Sequence, residues 1–339
     1  MLVVDVENLR KVYPVKRKPP GFGGSLRALW RPTYDSVTAV DSITFQIQRG
    51  ELVGFVGPNG AGKSTTIKML TGILFPTSGS ATVLGLAPWS ERQRLAFRIA
   101  SVFGQRSQLW YHLPPSDSFA LLARIYEIED RPFRERLGQL VERFGIASYL
   151  DVPVRRLSLG ERMRCEIAAA LLHRPEVVFL DEPTIGLDVV AKQEIRAMVK
   201  TLNADEGVTF LLTSHDAGDI EQVCRRVIVI NHGTIVFDDP VAELKRGFLR
   251  RKIVEVKLGQ EGTPPELPGV VVREAEAFRL RLEVDADIQP IDKVIAALVS
   301  TLIVADLTIE EPPLEEIIAA IYAATGEAAS PLSLARESG

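Results

Sequence analysis

Two cysteines in 339 residues, Cys165 and Cys224, are too few for a disulfide framework or a thiolate zinc site, and they fit a reducing compartment. A surplus of positive charge is also lacking. Forty Lys and Arg against forty-four Asp and Glu leave a net charge of -4, which argues against a dedicated nucleic-acid binder. Long apolar runs are missing as well: Val294–Ala305 is interrupted by Ser300 and Thr301 and falls short of the roughly 20 residues of a spanning helix. Asp5 and Glu7 inside the first apolar run make the N-terminus unlike a secretory signal. Neither internal repeats nor heptad runs are found. What is there is an ordinary globular composition, 46% apolar and 25% charged, of a length that implies about two domains.

The pattern along the chain is α/β and then changes character. Leu2–Val6 and Ile43–Ile47 alternate as paired strands do. Between them, residues 14–37 are rich in Pro, Gly and aromatics and carry Lys16, Arg17, Lys18, Arg27 and Arg31 against one acid, Asp35. They read as a basic insertion in a hairpin, open to three uses: anionic headgroups, a membrane partner, or plain solvation. Leu52–Val56 is a short apolar strand entering a Gly-rich turn and a helix to about Leu70. Helices are expected over about 116–150 and over Glu161–Leu172, where Met163, Ile167 and Leu171 recur four apart before the stop His173-Arg174-Pro175. Val177–Leu180 and Thr209–Thr213 have the continuous apolarity of buried parallel strands. Further on, Phe278, Leu280, Leu282 and Val284 alternate with charges, and Ile291, Val294, Ile295, Leu298 and later Leu314, Ile317, Ile318, Ile321 keep helical spacing. The expected organisation is a domain over 1–247 with a helical part over about 106–172, a small α+β domain over 248–327, and a frayed tail over 328–339.

The strongest chemical signal is Gly57-Pro58-Asn59-Gly60-Ala61-Gly62-Lys63-Ser64, which matches G-x-x-x-x-G-K-[ST] between a strand and a helix. Glycines let the backbone fold round phosphate oxygens, and inward N–H groups with the helix N-terminus supply positive partial charge. Lys63 is then placed for the β and γ phosphates and Ser64 for Mg²⁺. Gly57, Asn59, Gly60, Ala61, Gly62, Lys63, Ser64 and Thr65 form the expected nucleotide-binding set. The bland alternative is a coincidental Gly-rich turn. In Val177-Val178-Phe179-Leu180-Asp181-Glu182 an apolar strand ends in two carboxylates, which puts Asp181 at the carboxyl edge of a sheet. Asp181 suits Mg²⁺, and Glu182 suits the polarisation of an attacking water. Standing alone, this run would read as a strand entering an acidic turn.

With these neighbours in this order, the sequence resembles the ATP-binding-cassette ATPases, the nucleotide-binding subunits of ABC transporters, over residues 1 to about 245. That resemblance implies further roles. Gln105, in Val102-Phe103-Gly104-Gln105, is similar to the glutamine that meets Mg²⁺ and the attacking water. Leu157-Ser158-Leu159-Gly160-Glu161 resembles the signature motif, which touches the γ-phosphate of ATP held by the opposite subunit. Leu159 and Glu161 depart from the family's L-S-G-G-Q, whereas Ser158 and Gly160 are kept. Asp188, in Ile185-Gly186-Leu187-Asp188, falls where the D-loop belongs, and His215, in Thr213-Ser214-His215-Asp216, resembles the switch histidine. Taken singly, Ser158-x-x-Glu161 is also a capping box and His215 a structural histidine at a strand end. Tyr13 fits the aromatic that stacks on adenine, with Tyr34 beyond the insertion as competitor.

By this resemblance the fold is an α/β P-loop ABC ATPase domain, a mixed sheet core plus a helical subdomain, followed by a small α+β domain. Catalytic roles fall to Glu182, His215 and Gln105, and metal binding to Ser64, Gln105 and Asp181. Nucleotide contacts fall to Tyr13, the residues of the glycine loop, Ser158, Gly160, Glu161 and Asp188. ATP and Mg²⁺ are the implied cofactors. The implied partners are a second copy, paired head to tail, and integral membrane permease subunits, at the cytoplasmic face of the cell membrane; no nucleic acid is expected. Asp181–Asp188 and the C-terminal appendage resemble the ABC-2-type exporter ATPases, and Gly104–Trp110 with Leu157–Arg162 resemble their viologen-exporter-like branch. The alternative is a non-transport ABC ATPase acting on ribosomes or DNA. Such members usually carry two cassettes or long coiled coils, and this chain has one cassette and no heptad run. A GTP-dependent switch is disfavoured by the lack of an N-K-x-D or T-K-x-D motif. The C-terminal domain is expected to stabilise the pair, with a ligand-sensing module as the alternative.

Overall fold

Alternating apolar side chains set the first hairpin: Val4, Val6, Leu9, Ile43, Phe45 and Ile47 are all buried, on strands β1 (Leu2–Lys16) and β2 (Tyr34–Gln48). Their antiparallel pairing runs from Leu2 opposite Gln48 to Lys16 opposite Tyr34. The ladder therefore continues into the segment expected as an insertion over 14–37, because Pro14 and Val15 still find partners in Ser36 and Asp35. The computed structural model describes residues 1–16, 34–104, 107–214, 216–248, 251–310 and 314–326, so the basic residues between the two arms, Arg17 to Arg31, lie outside it.

β3 (Leu52–Val56) is buried at every position and leads through the Gly-rich turn into α1 (Lys63–Leu70). β4 (Ser78–Val83) returns to pair antiparallel with β1, completing a three-stranded sheet in the order β2-β1-β4. The chain continues through α2 (Arg92–Ala96), β5 (Ile99–Phe103), α3 (Pro115–Ile125), α4 (Asp130–Phe144) and α5 (Leu159–Ala170). Proline at the first position of α3 and left-handed Gly145 after α4 are the ordinary start and stop signals of helices. β6 (Val177–Asp181), α6 (Val189–Glu206), β7 (Thr209–Ser214), α7 (Ala217–Val223), β8 (Arg226–Asn231) and β9 (Thr234–Pro240) follow.

These strands form a six-stranded sheet in the order β5-β6-β7-β3-β8-β9, with β5 to β8 and β3 mutually parallel. One face of that sheet (Phe55, Phe179, Leu211, Ile228) shares a core with Ile67 and Leu70 of α1 and with the three-stranded sheet. Each such fully buried aliphatic or aromatic side chain contributes about 1.5–3 kcal/mol. On the other face Gly54 lets α7 approach: a Cβ there would stand 2.6 Å from Ile220 Cγ2. Both cysteines are buried and free, and burial pushes the Cys165 thiol up to about 12, which leaves it inert.

The chain divides into two units between Asp238 and Asp239. The second holds α8 (Val241–Phe248), β10 (Arg251–Leu258), β11 (Val270–Glu276), β12 (Arg279–Asp285), α9 (Ile291–Thr301), β13 (Val304–Glu310) and α10 (Leu314–Gly326). Its sheet is antiparallel, in the order β11-β12-β10-β13, and Val294 and Leu298 of α9 seal its apolar face. The division falls ahead of the expected 247/248 boundary because α8 packs with α10. Phe278, expected in the apolar face of β12, is instead 58% exposed in the turn before that strand begins. Among the described residues no helix is long and apolar enough to cross a membrane.

Candidate functional site

The site is assembled at the carboxyl ends of the parallel strands, the edge where α/β sheets hold ligands. One row of the sheet crosses it in register: Phe103 of β5 opposite Asp181 of β6, Asp181 opposite Thr213 of β7, and Thr213 opposite Phe55 of β3. The Gly-rich turn leaves β3 immediately above this row. At two points its backbone closes too tightly for a side chain. A Cβ on Gly57 would stand 2.5 Å from the Ile230 carbonyl oxygen, and one on Gly62, whose φ is 110°, would stand 2.5 Å from that of Ala39. Gly62 caps α1, so the unpaired N–H groups of the first turn open onto the space above.

That space is a cleft of about 650 Å³ lined by Asn59, Gly60, Gly62, Lys63, Ser64 and Thr65 and, across from them, by Asp181 and Glu182. Lys63 is only 5% exposed. Its ammonium donates to the carbonyls of Gly57 at 2.6 Å and Pro58 at 3.2 Å and lies 3.9 Å from Glu182 Oε1. Burial lowers its pKa, and the carboxylates of Glu182 and Asp181 oppose that shift. Ser64 Oγ donates to Asp181 Oδ1 at 3.2 Å, and Thr213 Oγ1 donates to the same oxygen at 2.7 Å. The oxygens of Ser64 and Asp181 therefore stand side by side at the rim. Two hard oxygens fit Mg²⁺, which takes one or two protein ligands and fills its octahedron with water and phosphate.

Glu182 sits in a sparsely populated backbone region, with φ 54°. Its N–H is held by the Thr213 carbonyl at 3.2 Å and hydroxyl at 3.0 Å, so β7 fixes this conformation. A non-glycine residue there costs about 1–2 kcal/mol. Strain over-determined by its surroundings is a mark of functional positions. Gly104 presses on the same point: its N–H donates to the Asp181 carbonyl at 2.8 Å, and a Cβ would lie 2.2 Å from the Glu182 carbonyl oxygen.

The remaining expected residues are placed as follows. Gly57 and Ala61 belong to the turn but not to the lining of the cleft. Ser158 caps α5: Glu161 N–H donates to Ser158 Oγ at 3.3 Å, and Ser158 N–H to Glu161 Oε2 at 2.8 Å. The bond from the Ser158 backbone holds the Glu161 carboxyl below its ordinary value. Gly160 packs on α6, where a Cβ would stand 2.9 Å from Ala191 Cβ. Asp188 caps α6 by accepting from Ala191 N–H at 2.9 Å. None of these four lines the cleft. Tyr13 lies opposite Val37, two residues from cleft-lining Ala39, whereas Tyr34 is 59% exposed and further along the hairpin. Gln105 and His215 lie outside the described residues.

Sequence reasoning did not single out Gly104, Thr213 or Asp219 as parts of the site. Asp219, 1% exposed, accepts from Thr184 Oγ1, from Ser214 Oγ at 3.0 Å and from Arg196 Nε at 2.7 Å. It thus ties the turn after Glu182 to the end of β7. No local pattern announces it, since its partners lie on three other elements.

Comparison with known proteins identifies the family and the fold. Residues 40–185 match the family model described as ABC transporter. The chain is 36% identical over 212 residues to the daunorubicin/doxorubicin resistance ATP-binding protein DrrA of Streptomyces peucetius, a match covering 62% of this chain and 64% of that protein's length. It is 32% identical over 290 residues to the daunorubicin resistance ATP-binding protein DrrA3 of Streptomyces coeruleorubidus, covering 84% of this chain and 91% of that one. The fold matches a solved dimeric ATP-binding cassette in a post-hydrolysis state with ADP and Pi, at a TM-score of 0.59 and 23% identity, over 70% of this chain and 98% of that chain. By the extent of these matches, the chain belongs to the family of ABC transporter ATP-binding proteins.

Proposed function

We propose that this chain binds and hydrolyses ATP as the nucleotide-binding subunit of an ABC exporter, pairing head to tail with a second copy and driving separate permease subunits of the ABC-2 type at the cytoplasmic face of the membrane. The observation that carries the reading is the convergence of Lys63, Ser64, Asp181 and Glu182 on one cleft at the opening of α1. The resistance proteins among its relatives support export. The dimeric cassette of like fold supports pairing.

In this reading the N–H groups of Gly60 to Ser64 and the N-terminus of α1 hold the phosphates, and Lys63 exchanges its carbonyl partners for phosphate oxygens. Ser64 and Asp181 hold Mg²⁺ together with Gln105; when bound, the ion neutralises charge on the β and γ phosphates. Glu182 orients and accepts a proton from the attacking water, and His215 meets the γ-phosphate. Tyr13 stacks on adenine, being nearer the cleft than Tyr34. Ser158, Gly160 and Glu161 at the opening of α5, with Asp188 at that of α6, face the nucleotide held by the second copy. The unit after Asp238 stabilises the pair without taking part in chemistry.

Purified protein should therefore hydrolyse ATP only with Mg²⁺ present, and Lys63→Ala should weaken ATP binding roughly 10- to 100-fold, since a charge-assisted hydrogen bond contributes about 1.5–3 kcal/mol. ATP affinity within twofold of the parent in Lys63→Ala would contradict the assignment.

A further inference from the structure

A buried carboxylate on α5 has no place in the chemistry above. Glu166 is 3% exposed and stands two turns beyond Ser158, beside the apolar run Ile167–Ala170. Its oxygens are spent on a loop: Oε1 accepts from Ser107 Oγ, and Oε2 accepts from Gln108 N–H at 2.9 Å. Burial raises its pKa, and the bonds from Ser107 and Gln108 pull the other way. The side chain of Gln108 in turn donates to the Ser101 carbonyl on β5.

This loop is the chain's route out of the cleft. Phe103 and Gly104 line it, and Gly104 N–H is bonded to the Asp181 carbonyl at 2.8 Å. Three residues on, Ser107 is bonded to α5. Between the two anchors the sequence has only Gln105 and Arg106, so the three Cα–Cα steps from Gly104 to Ser107 reach at most about 11 Å. A tether that short passes on any displacement larger than its slack. At the far end of the same helix lie Ser158 and Gly160, held by the cap and by the packing of Gly160 on Ala191.

We infer that Glu166 is a positioning residue: by fastening Ser107 and Gln108 to α5 it makes the loop leaving the cleft and the Ser158 end of α5 move as one body, so that the state of one copy's cleft sets the placement of the residues offered to the other copy's nucleotide. The inference rests on the proposed ATPase function. It separates two properties that a packing role would not. ATP binding to a single copy uses none of these bonds, whereas turnover by the pair needs both ends of α5 in step.

The test uses the full chain and three variants. Glu166→Gln keeps an acceptor for Gln108 N–H and can donate to Ser107 Oγ; Glu166→Met keeps the bulk and loses both bonds; Ser107→Ala removes one bond from an exposed loop. ATP affinity is measured on the active chain with Mg²⁺ withheld and at protein concentrations where it stays a single copy, and kcat and KM with Mg²⁺ present. Expected are a fall in kcat of tenfold or more for Glu166→Met with ATP affinity within twofold, a fall of about threefold for Ser107→Ala, and recovery to within threefold of the parent for Glu166→Gln. The coupling is overturned by a kcat within twofold of the parent in Glu166→Met. It is equally overturned if Glu166→Gln falls as far as Glu166→Met, or if ATP affinity falls in proportion to kcat. Parent protein that neither binds nor hydrolyses ATP would overturn the functional reading itself and the coupling with it; an active parent with any of the former results overturns the coupling alone.

Discussion

Replacing Gly104 by Ala tests whether the contact between β5 and the carboxylate pair is part of the catalytic geometry. The added Cβ would lie 2.2 Å from the Glu182 carbonyl oxygen and 3.2 Å from that of Asp181, where carbon atoms do not come closer than about 3.0 Å. At least 0.8 Å of movement is required to reach 3.0 Å, and both candidates for it are backbone. Glu182 resists, being fixed at φ 54° by two bonds from its N–H to Thr213. Gly104 resists through its own bond to the Asp181 carbonyl. Overpacking of this kind costs about 1–3 kcal/mol in stability. A displacement near 1 Å at a reacting group lowers rates on the order of a hundredfold. The Gly-rich turn, which holds the phosphates in the proposed function, is untouched, so ATP affinity should stay within about threefold while kcat falls about a hundredfold. Steady-state hydrolysis with an independent nucleotide titration measures both. A Gly104→Ala protein with kcat within threefold of the parent would refute the reasoning.

Asp219→Ala should lower the urea midpoint by an amount equivalent to about 3–5 kcal/mol, because Arg196, 13% exposed in its side chain, loses its buried carboxylate; an unchanged midpoint would show that the Thr184–Ser214–Arg196 network is not a unit. Glu206 tests the sign of a pH effect. Burial alone would raise its carboxyl, but bonds and charge from Arg136 and Arg143 outweigh that and leave it below its ordinary value of 4.5. A depressed folded-state pKa gives stability that is present above the ordinary value and lost as pH falls through the lower one. The parent should therefore lose stability more steeply below pH 4.5 than Glu206→Gln does, as read from denaturation midpoints across that range.

Much of the candidate cleft was legible because its parts are local. The Gly-rich turn declares itself by spacing and by the strand and helix on either side, and Asp181-Glu182 by ending a run of apolar residues that only a buried parallel strand requires. β4, by contrast, reads Ser-Gly-Ser-Ala-Thr-Val, and β5 reads Ile-Ala-Ser-Val-Phe. β4 lacks the apolar content of an independent strand, and pairing with β1 makes it one; β5 is apolar at four of its five positions, and pairing with β6 seats it at the edge of the parallel sheet. Gly104 and Glu182 are brought together only by β5–β6 pairing, and Glu166 meets Ser107 across 59 positions of sequence. In the second unit, Phe278 continued the alternation of Leu280 and Leu282, but a turn intervenes before β12 and places it outside the apolar face. Periodicity fixes which residues share a face, and only the tertiary structure decides where a strand begins.

In the proposed function, Glu182 turns over ATP bound in a cleft completed by a second copy. The direct test is the subunit mass and the turnover of Glu182→Gln with Mg²⁺–ATP. The amide keeps the shape of the carboxylate without its charge, so ATP should bind as in the parent, hydrolysis should fall about 10²- to 10⁴-fold, and the protein should accumulate as a dimer that disperses when ATP is removed. Hydrolysis at the parent rate, or a monomer that persists at saturating Mg²⁺–ATP, would contradict the account.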